Sequence, residues 1–191
     1  VTLSLEKPAG TQVLDYIQVH DIDLTGPFKA VEALSEGWRT HSWYNAGTQS
    51  FHSEATKELA VRNLDDQPAL QRDLINATVE AVKAYCDALM PWAQVHHLSP
   101  PRLNRYEVGT LMRMHSDHIH SIFDGEAKGV PVLSIVGNLN DGYEGGVLTV
   151  CGQPYDLKAN QVIVFPSCFM FPHEVTEVTA GTRYSFVAWA W

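Results

Sequence analysis

The chain has 191 residues, enough for one domain with a full core and short for two. Hydrophobic residues make up 45% and charged residues 18%, with 13 glycines and 10 prolines, which excludes a disordered or collagen-like chain. The 22 acidic and 13 basic residues give a formal net charge of -9. That charge opposes a phosphate backbone and makes nucleic acid a poor default partner; Arg102, Arg105 and Arg113 are the only hint of a local basic cleft.

Thr25-Gly26-Pro27 starts the first predicted helix, with proline near its first turn and Gly37 as its stop. Trp38, Trp43 and Tyr44 follow. They either border a pocket or close the core, and the core is the expected place. A strand over Leu59–Asn63 comes next. Asp65-Asp66 offer a cap for a second, stronger helix with Pro68 in its first turn. Leu70, Leu74, Thr78, Ala81, Val82, Tyr85 and Leu89 recur at helical spacing before Pro91 ends it. Such a stripe is expected to pack on a sheet, and Cys86 within it reads as a small core residue.

After Pro100 the pattern changes to short predicted strands at 103–106, 110–116, 131–139, 146–150, 161–165 and 182–190. Asn140-Asp141-Gly142, Glu144-Gly145-Gly146 and Ala180-Gly181 punctuate them. Short strands preceded by helices predict helices laid against a double-sheet barrel. With no linker, repeat or low-complexity segment, residues 1–191 are expected to form a single catalytic domain. In it, 1–100 supply mostly supporting helices and strands and 101–191 the metal-binding barrel core.

No stretch is long enough to span a bilayer, and the start lacks a basic-then-apolar targeting pattern, so no membrane association is expected. Cys86, Cys151 and Cys168 are odd in number and widely spaced. That argues against a disulfide framework or a zinc ribbon and favours a reducing compartment, so a cytoplasmic location is expected. The chain begins at Val1 and ends within an apolar run at Trp191, and is expected to be a piece of a longer protein.

His115-Ser116-Asp117, a later His173, and Arg183 carry the chemistry. On an extended strand, side chains two apart share a face, so His115 and Asp117 can enter one cavity, with His173 joining from a distant strand. Two imidazoles and one carboxylate suit a divalent iron that keeps open positions. An arginine beside them gives an anion a two-pronged partner. The set points to an oxygenase using iron and a dicarboxylate co-substrate. His118 and His120 have the opposite strand parity and read as loop residues near the mouth or as solvated surface. Zinc is the main rival metal, but there is no His-Glu-x-x-His helix and no pair of cysteines at ligand spacing.

Tyr106-Glu107-Val108-Gly109, His115-Ser116-Asp117, Asn138-Leu139-Asn140, Gly145-Gly146, Phe165-Pro166, His173-Glu174-Val175 and Arg183-Tyr184-Ser185 occur in one order across residues 101–191. This set resembles the iron and 2-oxoglutarate-dependent dioxygenases, specifically their prolyl 4-hydroxylase-like branch. The resemblance implies a mainly β fold with packing helices, a distorted double-stranded β-helix of the jelly-roll or cupin kind. It implies that His115, Asp117 and His173 hold Fe(II), and that Arg183 binds the distal carboxylate of 2-oxoglutarate. It further implies that Tyr106 touches that co-substrate, that O2 is consumed, and that ascorbate serves as reductant. The branch's second tyrosine is absent, with Met112 near its place; Thr110 or Ser185 is expected to replace its hydrogen bond, Ser185 sharing a strand face with Arg183.

By the same resemblance the reaction is hydroxylation of an unactivated carbon, in a prolyl residue of a peptide or protein. Residues 118–129 would form a loop over an extended peptide, with Trp38, Trp43 or Tyr44 completing a groove. A free amino acid or other small metabolite as substrate is the alternative. A non-catalytic jelly-roll binding module is the alternative of a different class.

Overall fold

The computed structural model describes residues 12–45, 48–53, 57–117 and 131–191. In chain order a short 3-10 helix (Val13–Tyr16) is followed by β1 (Gln18–Asp21), α1 (Thr25–Glu32), β2 (Arg39–Thr40), β3 (Trp43–Asn45), β4 (Ser50–His52), β5 (Ala60–Arg62) and α2 (Pro68–Leu89). The strands after α2 are β6 (Arg102–Tyr106), β7 (Met112–His115), β8 (Leu133–Asn138), β9 (Glu144–Gly145), β10 (Leu148–Val150) and β11 (Gln153–Tyr155). The last four are β12 (Gln161–Pro166), β13 (His173–Val175), β14 (Val178–Ala180) and β15 (Arg183–Ala190).

Seven strands form one sheet in the order β1-β12-β8-β15-β6-β5-β2, and four form a second in the order β11-β10-β13-β7. Alternation along the strands sorts side chains onto the two faces of the larger sheet. Leu103, Leu133, Ile135, Val164, Phe186 and Ala188 face outward and pack with Leu70, Leu74, Ala77, Ala81 and Tyr85 of α2. Tyr106, Val136, Ile163 and Phe165 face inward and pack with Met112, Leu148, Val150 and Val175 of the smaller sheet. The expected double-sheet barrel with helices laid on one side is therefore the fold, and the inner face is the one that carries the polar residues described below.

α2 forms where the apolar spacing predicts it, and its stripe is buried against the sheet. Thr78 satisfies its buried hydroxyl by donating to the Leu74 carbonyl at 2.7 Å, and Tyr85 donates to the Tyr16 carbonyl at 2.9 Å. Two boundaries differ from expectation. The cap of α2 is Gln67 rather than Asp65-Asp66, because Asp66 instead accepts a 2.8 Å bond from Arg62. α1 stops at Glu32, and Gly37, at φ 79°, sits in a later turn with no room for a Cβ beside the Arg62 guanidinium. Cys86 packs at the edge of the outer core as expected.

Gly137 has a packing reason. It lies opposite Phe186 on the neighbouring strand, and a Cβ there would come within 2.0 Å of the Phe186 ring. No helix among the described residues is long and apolar enough to cross a membrane.

Candidate metal centre

β7 and β13 are far apart in sequence but adjacent in the smaller sheet, where His173 pairs directly with His115. The third ligand candidate thus comes, as expected, from a strand distant in sequence, which the sheet makes the neighbour of β7. The two rings lie 4.3 Å apart between centroids. Asp117 completes the group from just beyond the end of β7, not from the strand itself as the two-residue spacing predicts. Its carboxylate oxygens stand 3.6 Å from His115 Nε2 and 3.7 Å from His173 Nε2. One donor atom from each residue lies within 4.8 Å of the others, a separation that an ion could bridge.

Local hydrogen bonds aim these donors. Nδ1 of His115 lies 2.7 Å from the Arg113 carbonyl, and Nδ1 of His173 lies 3.1 Å from the Phe171 carbonyl. A carbonyl only accepts, so each Nδ1 carries the proton and each Nε2 presents its lone pair to the centre. Burial lowers the pKa of His173 despite the raising effect of Asp117, which keeps the imidazole in its neutral, ligating form. Burial opposes ionisation of Asp117. At the low pH where a carboxyl takes up its proton, His115 and His173 are cations facing it, and together with the Ser134 hydroxyl they outweigh burial and hold the carboxyl well below its ordinary range. Ser134 donates to Asp117 Oδ2 and lies 2.6 Å from the Ser167 hydroxyl. A smaller support lies behind His115. The Trp43 ring meets it edge-on at 5.2 Å, and Trp43 Nε1 donates to Glu58 at 2.8 Å. Trp43 packs against the inner core as expected, and from there it also backs His115.

Arg183 lies at the deep end of the same inner face, only 1% exposed. Its guanidinium carbon sits 5.0 Å from the centre of the Tyr106 ring, and Nη1 reaches Ser185 Oγ at 3.5 Å. Nε and Nη2 are buried with no partner. A buried cation with two idle donors is costly unless an anion completes it. Tyr106, pushed up mainly by burial and opposed by the Arg183 and Arg102 charges, keeps its proton and can donate. Ser185 stands where expected, whereas Thr110 spends its hydroxyl on the Glu107 carbonyl within a turn. Met112 lines the same cavity as His115, Asp117, His173 and Tyr106.

Residues 101–191 match the sequence profile of the 2OG-Fe(II) oxygenase superfamily. A PKHD-type hydroxylase of Shewanella oneidensis is 30% identical over 167 residues, which cover 83% of this chain and 71% of that protein. The chain belongs to the 2OG-Fe(II) oxygenase superfamily. A PKHD-type hydroxylase of Acinetobacter baumannii is 29% identical over 138 residues, spanning 67% of this chain and 58% of that protein. Among solved structures, a Pseudomonas putida prolyl-4-hydroxylase shares the fold at a TM-score of 0.63 and 21% identity, covering 91% of this chain and 90% of that one. A Trichoplax adhaerens prolyl hydroxylase, in complex with a hypoxia inducible factor oxygen degradation domain peptide fragment, does so at 0.68 and 14%, covering 93% and 85%.

As a 2OG-Fe(II) oxygenase the chain is an oxidoreductase that works with Fe(II), 2-oxoglutarate and O2. The donors present fit both groups. Two neutral imidazoles and an ionised carboxylate suit Fe(II), and the idle Nε and Nη2 of Arg183 suit a carboxylate. His118, His120 and the loop 118–129 lie outside the described residues, as does the Tyr44 side chain. Ser134, Ser167 and Glu58 escape sequence reasoning, because each acts through a contact that only strand pairing or chain crossing creates.

Proposed function

We propose that the protein hydroxylates a prolyl residue in a peptide or protein, with His115, Asp117 and His173 holding Fe(II) and Arg183, Tyr106 and Ser185 receiving 2-oxoglutarate. One observation carries the reading: the three-donor cluster and Tyr106 line one cavity, and Tyr106 in turn packs against Arg183, whose buried Nε and Nη2 have no partner. The PKHD-type and prolyl hydroxylase relatives support the prolyl part, and the peptide bound to the Trichoplax adhaerens protein supports an extended substrate.

The reaction combines a substrate C–H bond, 2-oxoglutarate and O2 to give C–OH, succinate and carbon dioxide, and the bound Fe(II) supplies the oxygen chemistry. The chain's own part is positional. Nδ1–H bonds to two backbone carbonyls fix the imidazoles, and Ser134 fixes the carboxylate of Asp117. Arg183 takes the distal carboxylate of 2-oxoglutarate as a planar fork, Ser185 steadies that fork, and the protonated Tyr106 lies alongside. Met112, where a second phenol is absent, leaves an apolar wall beside the co-substrate.

On this reading residues 1–191 act as one catalytic unit, since the helices before residue 100 pack on the sheet whose other face carries the site. Three free cysteines and an Fe(II) site suit a reducing compartment such as the cytoplasm. The test is a panel of prolyl peptides incubated with Fe(II), 2-oxoglutarate, ascorbate and air, read by mass spectrometry. A gain of one oxygen on proline, matched by succinate, is expected. Succinate release with efficient oxidation of a free amino acid or metabolite, and none on peptides, would overturn it.

A further inference from the structure

The inner face of the larger sheet is graded. The paired Arg183 and Tyr106 are buried, the paired Ser185 and Asn104 are buried, and the paired Val187 and Arg102 are part-exposed. Trp189, two residues beyond Val187, is part-exposed as well and pairs with Ser134, the residue that holds Asp117. The open end of the cavity is therefore the end that carries Arg102, Trp189 and the three-donor cluster. Arg102 lies four residues along β6 from Tyr106, about 13 Å at the usual strand rise, well away from the Arg183 end.

Arg102 has no task in the site as described so far. Its guanidinium lies 5.7 Å from the Trp189 ring centre, its Nε is buried without a partner, and it lines the same cavity as His115, Asp117 and His173. Among the described residues it forms no ion pair and no hydrogen bond. Burial disfavours its charge, Tyr106 and the Asp117 carboxylate favour it at longer range, and the charge of Arg39 on β2 opposes it. A dicarboxylate co-substrate has two anionic ends; on the reading above Arg183 would hold one and the metal site would take the other. Arg102 is a third cationic position, left over on the side from which a substrate enters.

We infer that Arg102, stacked on Trp189, is a specificity-determining residue that binds a carboxylate of the substrate itself, so that the enzyme selects an anionic substrate. The inference rests on the 2-oxoglutarate reading above and deepens it. A planar guanidinium supported by an indole face gives a carboxylate two parallel hydrogen bonds in a partly desolvated setting. The carboxylate has three possible sources with the same chemistry: an acidic residue beside the target proline, the C-terminus of a chain ending in proline, or a free amino acid.

The test is binding by calorimetry to protein loaded with Mn(II) and 2-oxoglutarate under argon, so that no turnover occurs and Arg183 is already engaged. The probes are acid and amide pairs: a prolyl peptide with flanking glutamate or glutamine, a peptide ending in proline as acid or amide, L-proline or L-prolinamide, and benzoate or benzamide. The parent should bind at least one acid about tenfold more tightly than its amide, the size of one charge-assisted bond. Arg102→Met should bring that ratio near one, and Arg102→Lys should restore part of it. The pair that shows the effect identifies the source. Prolyl probes that bind the parent equally as acid and amide, or a ratio that persists in Arg102→Met, overturn the role of Arg102 and leave the prolyl reading standing. Benzoate discrimination that depends on Arg102, with no prolyl probe bound, overturns the prolyl reading instead. A tenfold loss of 2-oxoglutarate affinity in Arg102→Met, with substrate discrimination intact, would assign Arg102 to the co-substrate and also overturn the inference.

Discussion

On the proposed assignment Asp117 would contribute both a ligand atom and the only negative charge among the three donors. Asp117→Ala should therefore abolish Fe(II) binding and turnover while the fold survives, checked by metal content and circular dichroism of the purified variant. Ser134→Ala should be milder. It removes one hydrogen bond to Asp117, worth about 1.5–3 kcal/mol for a charged acceptor, and should weaken iron retention without eliminating it, as read by dialysis against a chelator. Arg183→Ala should raise the 2-oxoglutarate concentration needed for half-maximal succinate release, and Arg183→Lys should rescue only part, since an ammonium cannot reproduce the fork. These residues are legible in the sequence because their chemistry is rare and ordered: a His-x-Asp, a later histidine and an arginine among apolar neighbours. Ser134 and Arg102 are not legible in the same way. A serine inside an apolar run carries no signal, and Arg102 shows only as one of three arginines hinting at a basic cleft, until pairing puts one against Asp117 and the other over Trp189.

α2 shows how far periodicity reaches. Its apolar stripe identifies the face that is buried on the sheet, and Leu74, fully buried there, should cost about 2–5 kcal/mol when cut to alanine. That loss should appear in a denaturant midpoint while the affinity for Fe(II) stays near the parent value, because α2 and the site lie on opposite faces of the sheet. The cap is less legible. Asp65-Asp66 has the right chemistry, but Asp66 is drawn away by Arg62, a contact set by β5 rather than by the helix. Strands of two to four residues such as β1, β9 and β13 are too short to show alternation, and they exist because a neighbour offers them a hydrogen-bonding edge.

Burial disfavours the charged form of three histidines, and this couples folding to pH. His20, His41 and His173 all have pKa values lowered chiefly by burial. The unfolded chain then takes up protons that the folded chain resists once pH falls through the ordinary histidine range near about 6.5. The metal-free protein should lose stability between about pH 7.5 and pH 5.5, seen as a falling denaturant midpoint. Asp117, with its lowered pKa, contributes in full above the ordinary carboxylate range and does not change across that window. The arrangement of helices, larger sheet and smaller sheet is legible from the switch in pattern at Pro100. The direction in which the cavity opens is not, because it depends on the burial gradient from Arg183 to Trp189. The most direct test of the site is calorimetric titration of 2-oxoglutarate into Fe(II)-treated protein under argon. The parent should bind one equivalent in an Fe(II)-dependent manner, Arg183→Ala at least about tenfold more weakly for the loss of its charge-assisted pair, and Asp117→Ala not at all. Binding of 2-oxoglutarate to both variants as tight as to the parent would contradict the account.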